Sequence, residues 1–160
     1  VDANGGLGFA NATVRMSANE WESLQASAGD DAGRNAMIQA ITPKVETFAP
    51  DAEIIPNVVK AVDIKGHTPG HSGYLISSGD ESLLYIGDAA HHYVVSVQEP
   101  DWTIQFDGDA PTAQASRKEV LATYAQSGQR IYAVHFPFPG LGKFVKEGER
   151  FVWSAEAHHH

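Results

Sequence analysis

The sequence predicts an α/β (α+β) domain, with a mixed sheet and flanking helices. Two nearly unbroken apolar stretches, GYLIS and SLLYIG, read as strands covered on both faces, because a strand with one wet face alternates polar and apolar residues. A long, well-delimited helix follows in DGDAPTAQASRKEVLATYAQSGQ. Hairpins lie before and after that helix, so strands and helices do not alternate in a regular repeat. With 160 residues, 42% of them hydrophobic, the chain can bury the core of one domain or a large part of one.

The elements follow in order. VDANGGLGFANA is rich in Gly and Asn and reads as a loop. Val14 and Met16 fall on one side of a short strand in ATVRMS. Ser17 and Glu20 form a capping box for a helix through EWESLQA, and AGDDAG is a turn. Met37, Ile41, Val45 and Phe48 recur at helical spacing, which predicts a helix from Arg34 to Phe48 that Pro43 kinks or restarts. APDAE is a polar break, and VVKAVDI is a strand with Val58, Val62 and Ile64 on one face. GYLISSGDESLLYIGD pairs two strands around SSGDE. In the long helix Asp109 is the cap, Pro111 sits in the first turn and Gly128 ends it. IYAVH is a buried strand, and GKFVKEGERFVWS is a terminal hairpin turning at Glu147-Gly148.

Several function classes are excluded. A net charge of −9, with only 11 scattered Lys and Arg, does not suit a nucleic-acid partner. The absence of cysteine removes disulfides and thiolate metal sites, and is compatible with any compartment. No apolar run reaches the roughly 18 residues of a membrane span. The opening residues lack the basic start and apolar centre of a signal peptide. His158, His159 and His160 read as a tag remnant in a tail over 156–160, leaving residues 1–155 as the predicted domain.

The remaining histidines are His67, His71, His91, His92 and His135. His71, Asp88 and His135 each stand at or just past a strand end, where a rigid sheet presents reactive groups to a shared cleft. Two imidazoles and a carboxylate suit Zn²⁺ or another first-row divalent ion. The structural alternative is ordinary turn chemistry: His67 pinning a turn near Pro69, and Asp88 following a glycine. His91 and His92 read as exposed loop residues, one of which can face a substrate. Tyr93, Trp102, Phe106, Phe136 and Phe138 are candidates for an apolar substrate pocket or for plain core.

GHTPGHSGYLI, LLYIGDAAHH and AVHFPFPGLG, in that order and spacing, closely resemble the later ligand motifs of the metallo-β-lactamase superfamily. FANATVRMSANEW resembles the FPNAxVxVSxxEW stretch of the branch that holds lactonases and organophosphate hydrolases. The resemblance runs over nearly all of residues 1–155. It implies a four-layer αββα sandwich and a catalytic centre of two divalent metal ions, Zn²⁺ first, with Mn²⁺ or Fe²⁺ as alternatives. It places His71 on one metal, His135 on the other and Asp88 between them as the bridging, catalytic carboxylate, with His67 at a non-ligand position. A hydroxide bridging the metals would attack an ester, lactone or organophosphate, a small-molecule substrate in each case. The sequence does not assign a compartment, bacterial cytoplasm and periplasm both being open.

The departure is equally informative. The superfamily's H-x-H-x-D-H motif is absent, and no histidine precedes His67. The resemblance therefore implies the C-terminal half of such a hydrolase, with an incomplete or empty site and little activity alone. A missing N-terminal half or a second copy of the chain would then cover the sheet. The rival expectation is a catalytically inactive structural or binding fragment, or a half that works only with a complementary chain.

Overall fold

The computed structural model describes residues 6–157. The expectations for Val1 to Gly5 and for the three terminal histidines lie outside the described residues. Two compact units divide the chain, residues 1–49 and 50–160.

In the first unit, strand β1 (Val14–Ser17) leads into helix α1 (Ala18–Ala26), and Ser17 caps that helix by accepting from the Glu20 amide at 3.2 Å. Helix α2 (Ala32–Ile41) is capped by Asp31, which accepts from the Arg34 amide at 2.9 Å. The helix predicted through Phe48 ends early. Pro43 sits in a single 3-10 turn, Thr42–Lys44, and Val45–Phe48 forms strand β2, pairing in parallel with β1. Pro43 has no amide hydrogen to continue a helix, and the β-branched Val45 and Thr47 suit an extended chain. Helical spacing at those positions was a coincidence of pattern.

The second unit is a seven-stranded mixed sheet flanked by helices. Its strands are β3 (Glu53–Ile55), β4 (Val59–Asp63), β5 (Ser72–Ser78), β6 (Glu81–Tyr85), β7 (Ile131–Tyr132), β8 (Leu141–Glu147) and β9 (Arg150–Ala155). They lie in chain order and pair antiparallel, except that β6 and β7 run parallel. A parallel pair needs a crossover. Here it holds the short helix α3 (Val95–Gln98) and the long helix α4 (Ala110–Ser127). Asp109 caps α4 through the Thr112 amide and hydroxyl, and Gly128 ends it at φ 67°, both as predicted. Strand β3 begins at the last residue of the predicted polar break APDAE and was not itself predicted, and IYAVH gives only the two-residue β7 before the chain turns.

Ile64, Leu84, Ile86, Val97, Leu121, Ile131 and Phe144 form the fully buried core with Val120 and Ala133. Each large side chain removed from water contributes roughly 1.5–3 kcal/mol. Coverage on both faces is not complete, since Ile55 is 51% exposed and Ile76 is 42% exposed. Among the described residues no helix is long and apolar enough to cross a membrane.

Strand pairing also places the chemistry. Asp63 at the end of β4 pairs with Ser72 at the start of β5, Tyr74 pairs with Tyr85 at the end of β6, and Tyr85 pairs with Tyr132 at the end of β7. The turn holding His67 and His71, the turn holding Asp88 and the loop holding His135 therefore leave the sheet at one edge.

Candidate metal centre

Asp88 is the hub. Its Oδ1 lies 2.5 Å from His135 Nε2 and 3.6 Å from His91 Nε2, and its Oδ2 lies 3.6 Å from His67 Nε2. The two oxygens thus face different imidazoles. Ligand atoms of His67, Asp88 and His91 all lie within 4.8 Å of one another, close enough to share a cation. The His135 ring stacks on that of His91, with centroids 4.8 Å apart. Three imidazoles and a carboxylate, with no thiolate, suit Zn²⁺, Mn²⁺ or Fe²⁺.

His71 is beside this group, its ring edge-on to that of His67 with centroids 5.9 Å apart. Its Nδ1–H donates to the Ile64 carbonyl at 2.9 Å, and its Nε2 accepts the Asp88 amide at 2.9 Å. Both ring nitrogens are committed to backbone, and the ring carries no spare lone pair. It ties the end of β4 to the Asp88 turn. Gly87 makes room for that contact. It holds φ +51°, and a Cβ there would stand 2.6 Å from His71 Nε2.

His67 is held differently. Its Nδ1 lies 3.1 Å from Oδ1 of Asp107, whose side chain is fully buried. Asp107 Oδ2 accepts from Arg117 at 2.9 Å, and Arg117 is itself 2% exposed. A carboxylate accepts only, so the proton belongs on His67 Nδ1 and its Nε2 lone pair faces Asp88. A metal-bound imidazole usually has this support behind it. Asp107 and Arg117 were not among the residues singled out from the sequence. The usable signal was a buried-type helix position occupied by arginine.

His92 serves as a cap, its Nδ1 accepting the Val94 and Val95 amides at 3.2 Å each. His91 is half-buried, and its Nδ1 is buried without a hydrogen-bond partner among the described residues. Burial, reinforced by His135 nearby, lowers the His91 pKa below 6.5 and keeps the ring neutral, the form that binds metal. For Asp88 burial pushes the pKa up, but the His135 hydrogen bond and the fields of His67, His135 and His71 outweigh it and hold the carboxyl below 3.8.

An open cleft at the centre is lined by His67, Asp88, His91, Ile104, Phe106 and His135. Of the aromatic residues singled out from the sequence, Phe106 lines it. Phe136 is buried in the core, where its ring meets Trp153 edge to face at 4.8 Å. Tyr93, Trp102 and Phe138 are exposed.

No protein-family model and no curated protein matches the chain. Solved structures do. One is AidC, a dizinc quorum-quenching lactonase in complex with the product N-hexanoyl-L-homoserine: 29% identity, TM-score 0.87, covering 100% of this chain and 60% of that one. The hydrolase AbOPH of the β-lactamase superfamily is similar at 28% identity and TM-score 0.84, again over 100% of this chain and 60% of that one. A probable metal-dependent hydrolase from Staphylococcus aureus shares the fold at 18% identity and TM-score 0.77, over 99% of this chain and 57% of that one. The chain therefore has a metallo-β-lactamase superfamily fold related to quorum-quenching lactonases and hydrolases. Its mixed sheet with flanking helices is the arrangement of that fold's C-terminal half, and it spans about 60% of the length of those two hydrolases.

Proposed function

We propose that these residues form part of the centre of a metal-dependent hydrolase that opens an ester, lactone or organophosphate. The observation that carries this reading is the Asp88 carboxylate, with one oxygen toward His67 and the other toward His135 and His91. A carboxylate placed so can bridge two cations. In this reading His67, not His71, takes the ligand place in the GHTPGH turn, because the ring nitrogens of His71 are spent on backbone. His135 holds the second position, and His91 stands between the two as a further donor or a substrate contact. Bound divalent ions would supply Lewis acidity, polarising the scissile carbonyl or phosphoryl group and activating water. The chain's own residues do the rest: Asp88 and the imidazoles fix the centre, while Ile104 and Phe106 give the cleft an apolar wall for the substrate.

The lactonase named above was solved with an acyl-homoserine product, so N-hexanoyl-homoserine lactone is the first substrate to try. Four donors shared by two metals fall short of the three per metal usual in catalytic zinc sites. This supports the second reading, in which the 160-residue chain binds metal yet hydrolyses little without a further segment or copy. The exposed Ile55 and Ile76 favour such a covering partner.

Zinc uptake by calorimetry, paired with lactone hydrolysis with and without added Zn²⁺, tests both readings. The expected result is zinc uptake that Asp88→Asn weakens at least tenfold, with any lactone turnover lost in the same variant. No zinc uptake, or uptake indifferent to Asp88, would refute the metal reading. Zinc uptake without turnover would select the second.

A further inference from the structure

We propose that Asp107 is a positioning residue for His67, anchored by Arg117, and that this buried pair fixes which nitrogen His67 presents to the centre. The proposal rests on the reading of His67 as a metal donor.

Three sets of contacts carry it. First, Asp107 offers one oxygen to His67 Nδ1 and the other to Arg117, so both are committed. Second, Arg117 is a clamp as well as a counter-ion. Its Nε donates to the carbonyl of Ala89, the residue after Asp88, at 2.8 Å. A terminal nitrogen donates to the carbonyls of Pro100 and Trp102 at 2.9 and 3.2 Å. One guanidinium thus ties the Asp88 turn, the loop over 100–107 and the His67 support to helix α4. Third, the backbone of the His67 turn is bound to the start of that helix. The Gly66 carbonyl accepts from the Asp109 amide at 2.9 Å, and the His67 carbonyl accepts from the Gly108 amide at 3.1 Å. The Ser116 hydroxyl donates to the Lys65 carbonyl at 2.7 Å. Gly66 is required for that approach, because a Cβ there would lie 2.2 Å from the Ala113 nitrogen.

The consequence is chemical. A neutral imidazole has two tautomers, and only one leaves Nε2 with a lone pair toward Asp88. An acceptor-only carboxylate on Nδ1 selects that tautomer and fixes the orientation of the ring. Without it, His67 would spend part of its population with Nε2 protonated and turned against a cation.

The test begins with the unmodified full chain, without metal, at slightly alkaline pH. Ring nitrogen chemical shifts report which nitrogen of His67 carries the proton. A protonated Nδ1 is expected, and a protonated Nε2 overturns the proposal whatever any variant does. Next, Asp107→Asn is titrated with Zn²⁺ alone. About a 10- to 100-fold loss of affinity is expected, the usual cost of removing such a partner, together with mixed His67 tautomers. Asp101→Asn, which alters an exposed pair with Lys118, should leave both readouts unchanged. A folded Asp107→Asn that binds Zn²⁺ within twofold of the parent, or keeps the single tautomer, sinks the idea. If Asp107→Asn does not fold, the ring shifts of the parent decide. A parent that binds no Zn²⁺ but shows the expected tautomer would refute the metal reading and leave the positioning assignment intact.

Discussion

The two sides of the centre are built to different standards. His67 stands on a turn whose backbone is bonded to helix α4 and whose ring is backed by a buried carboxylate and a buried arginine. His135 stands on a loop beyond the two-residue β7, with its side chain 41% exposed and its Nε2 against Asp88. Phe138, three residues on, is 89% exposed. The same ligand chemistry is therefore backed by buried charge on one side and open to water on the other. Order on the His67 side comes from desolvated charge, and desolvated charge is costly to disturb.

The largest expected effect breaks the ordered side. Arg117→Ala strands the Asp107 carboxylate in the interior and releases three backbone carbonyls, so a loss of about 3–5 kcal/mol is expected. Phe138→Ser on the opposite loop should stay within about 0.5 kcal/mol. Urea unfolding of the two variants measures the contrast. Equal losses would show that the buried pair is no more demanding than the open loop.

This contrast also explains what was legible in the sequence. Capping residues and strand runs act over a few positions, and so Ser17, Asp109, Gly128 and the β5–β6 hairpin were readable. The choice between His67 and His71 was not. They lie four residues apart in one turn, and their roles are set by Asp107, far along the chain, and by the Asp88 amide. No local pattern records that. Asp107 itself sits two residues before the Asp109 cap and reads as part of the same polar approach to α4. The strand Val45–Phe48 was missed because four apolar positions can satisfy helical spacing by chance, whereas Pro43 was the decisive residue.

A smaller effect sharpens the comparison through pH. His91 stands between the two sides, and burial together with its neighbour His135 lowers its folded-state pKa below 6.5. As pH falls through 6.5 the unfolded chain takes up the proton first, so His91 should subtract stability from the metal-free protein there. Between pH 7.5 and pH 5.5 the stability of the parent should fall more steeply than that of His91→Gln. Parallel slopes would mean that His91 is as free to ionise in the fold as in the unfolded chain.

The smallest effect comes from an ion pair of the same chemistry placed at the surface. Arg130 Nε and a terminal nitrogen meet both oxygens of Glu156 at 2.6 and 2.7 Å, joining the residue before β7 to the residue after β9. The geometry is as good as that of Arg117 with Asp107, but the side chains are 46% and 35% exposed. Water already solvates both charges, so Glu156→Gln should cost no more than about 1 kcal/mol at neutral pH, and less in high salt. The Arg130 hydrogen bond outweighs the opposing effect of burial and, with the charges of Arg130 and Lys143, holds the Glu156 carboxyl below 4.5. Its contribution is therefore complete above the ordinary glutamate range and is lost as pH falls through the lowered folded-state value. The parent and Glu156→Gln should differ slightly at pH 7 and converge near pH 3. A loss comparable to that of Arg117→Ala would mean that geometry alone, and not desolvation, sets the strength of the arginine–carboxylate pairs in this fold.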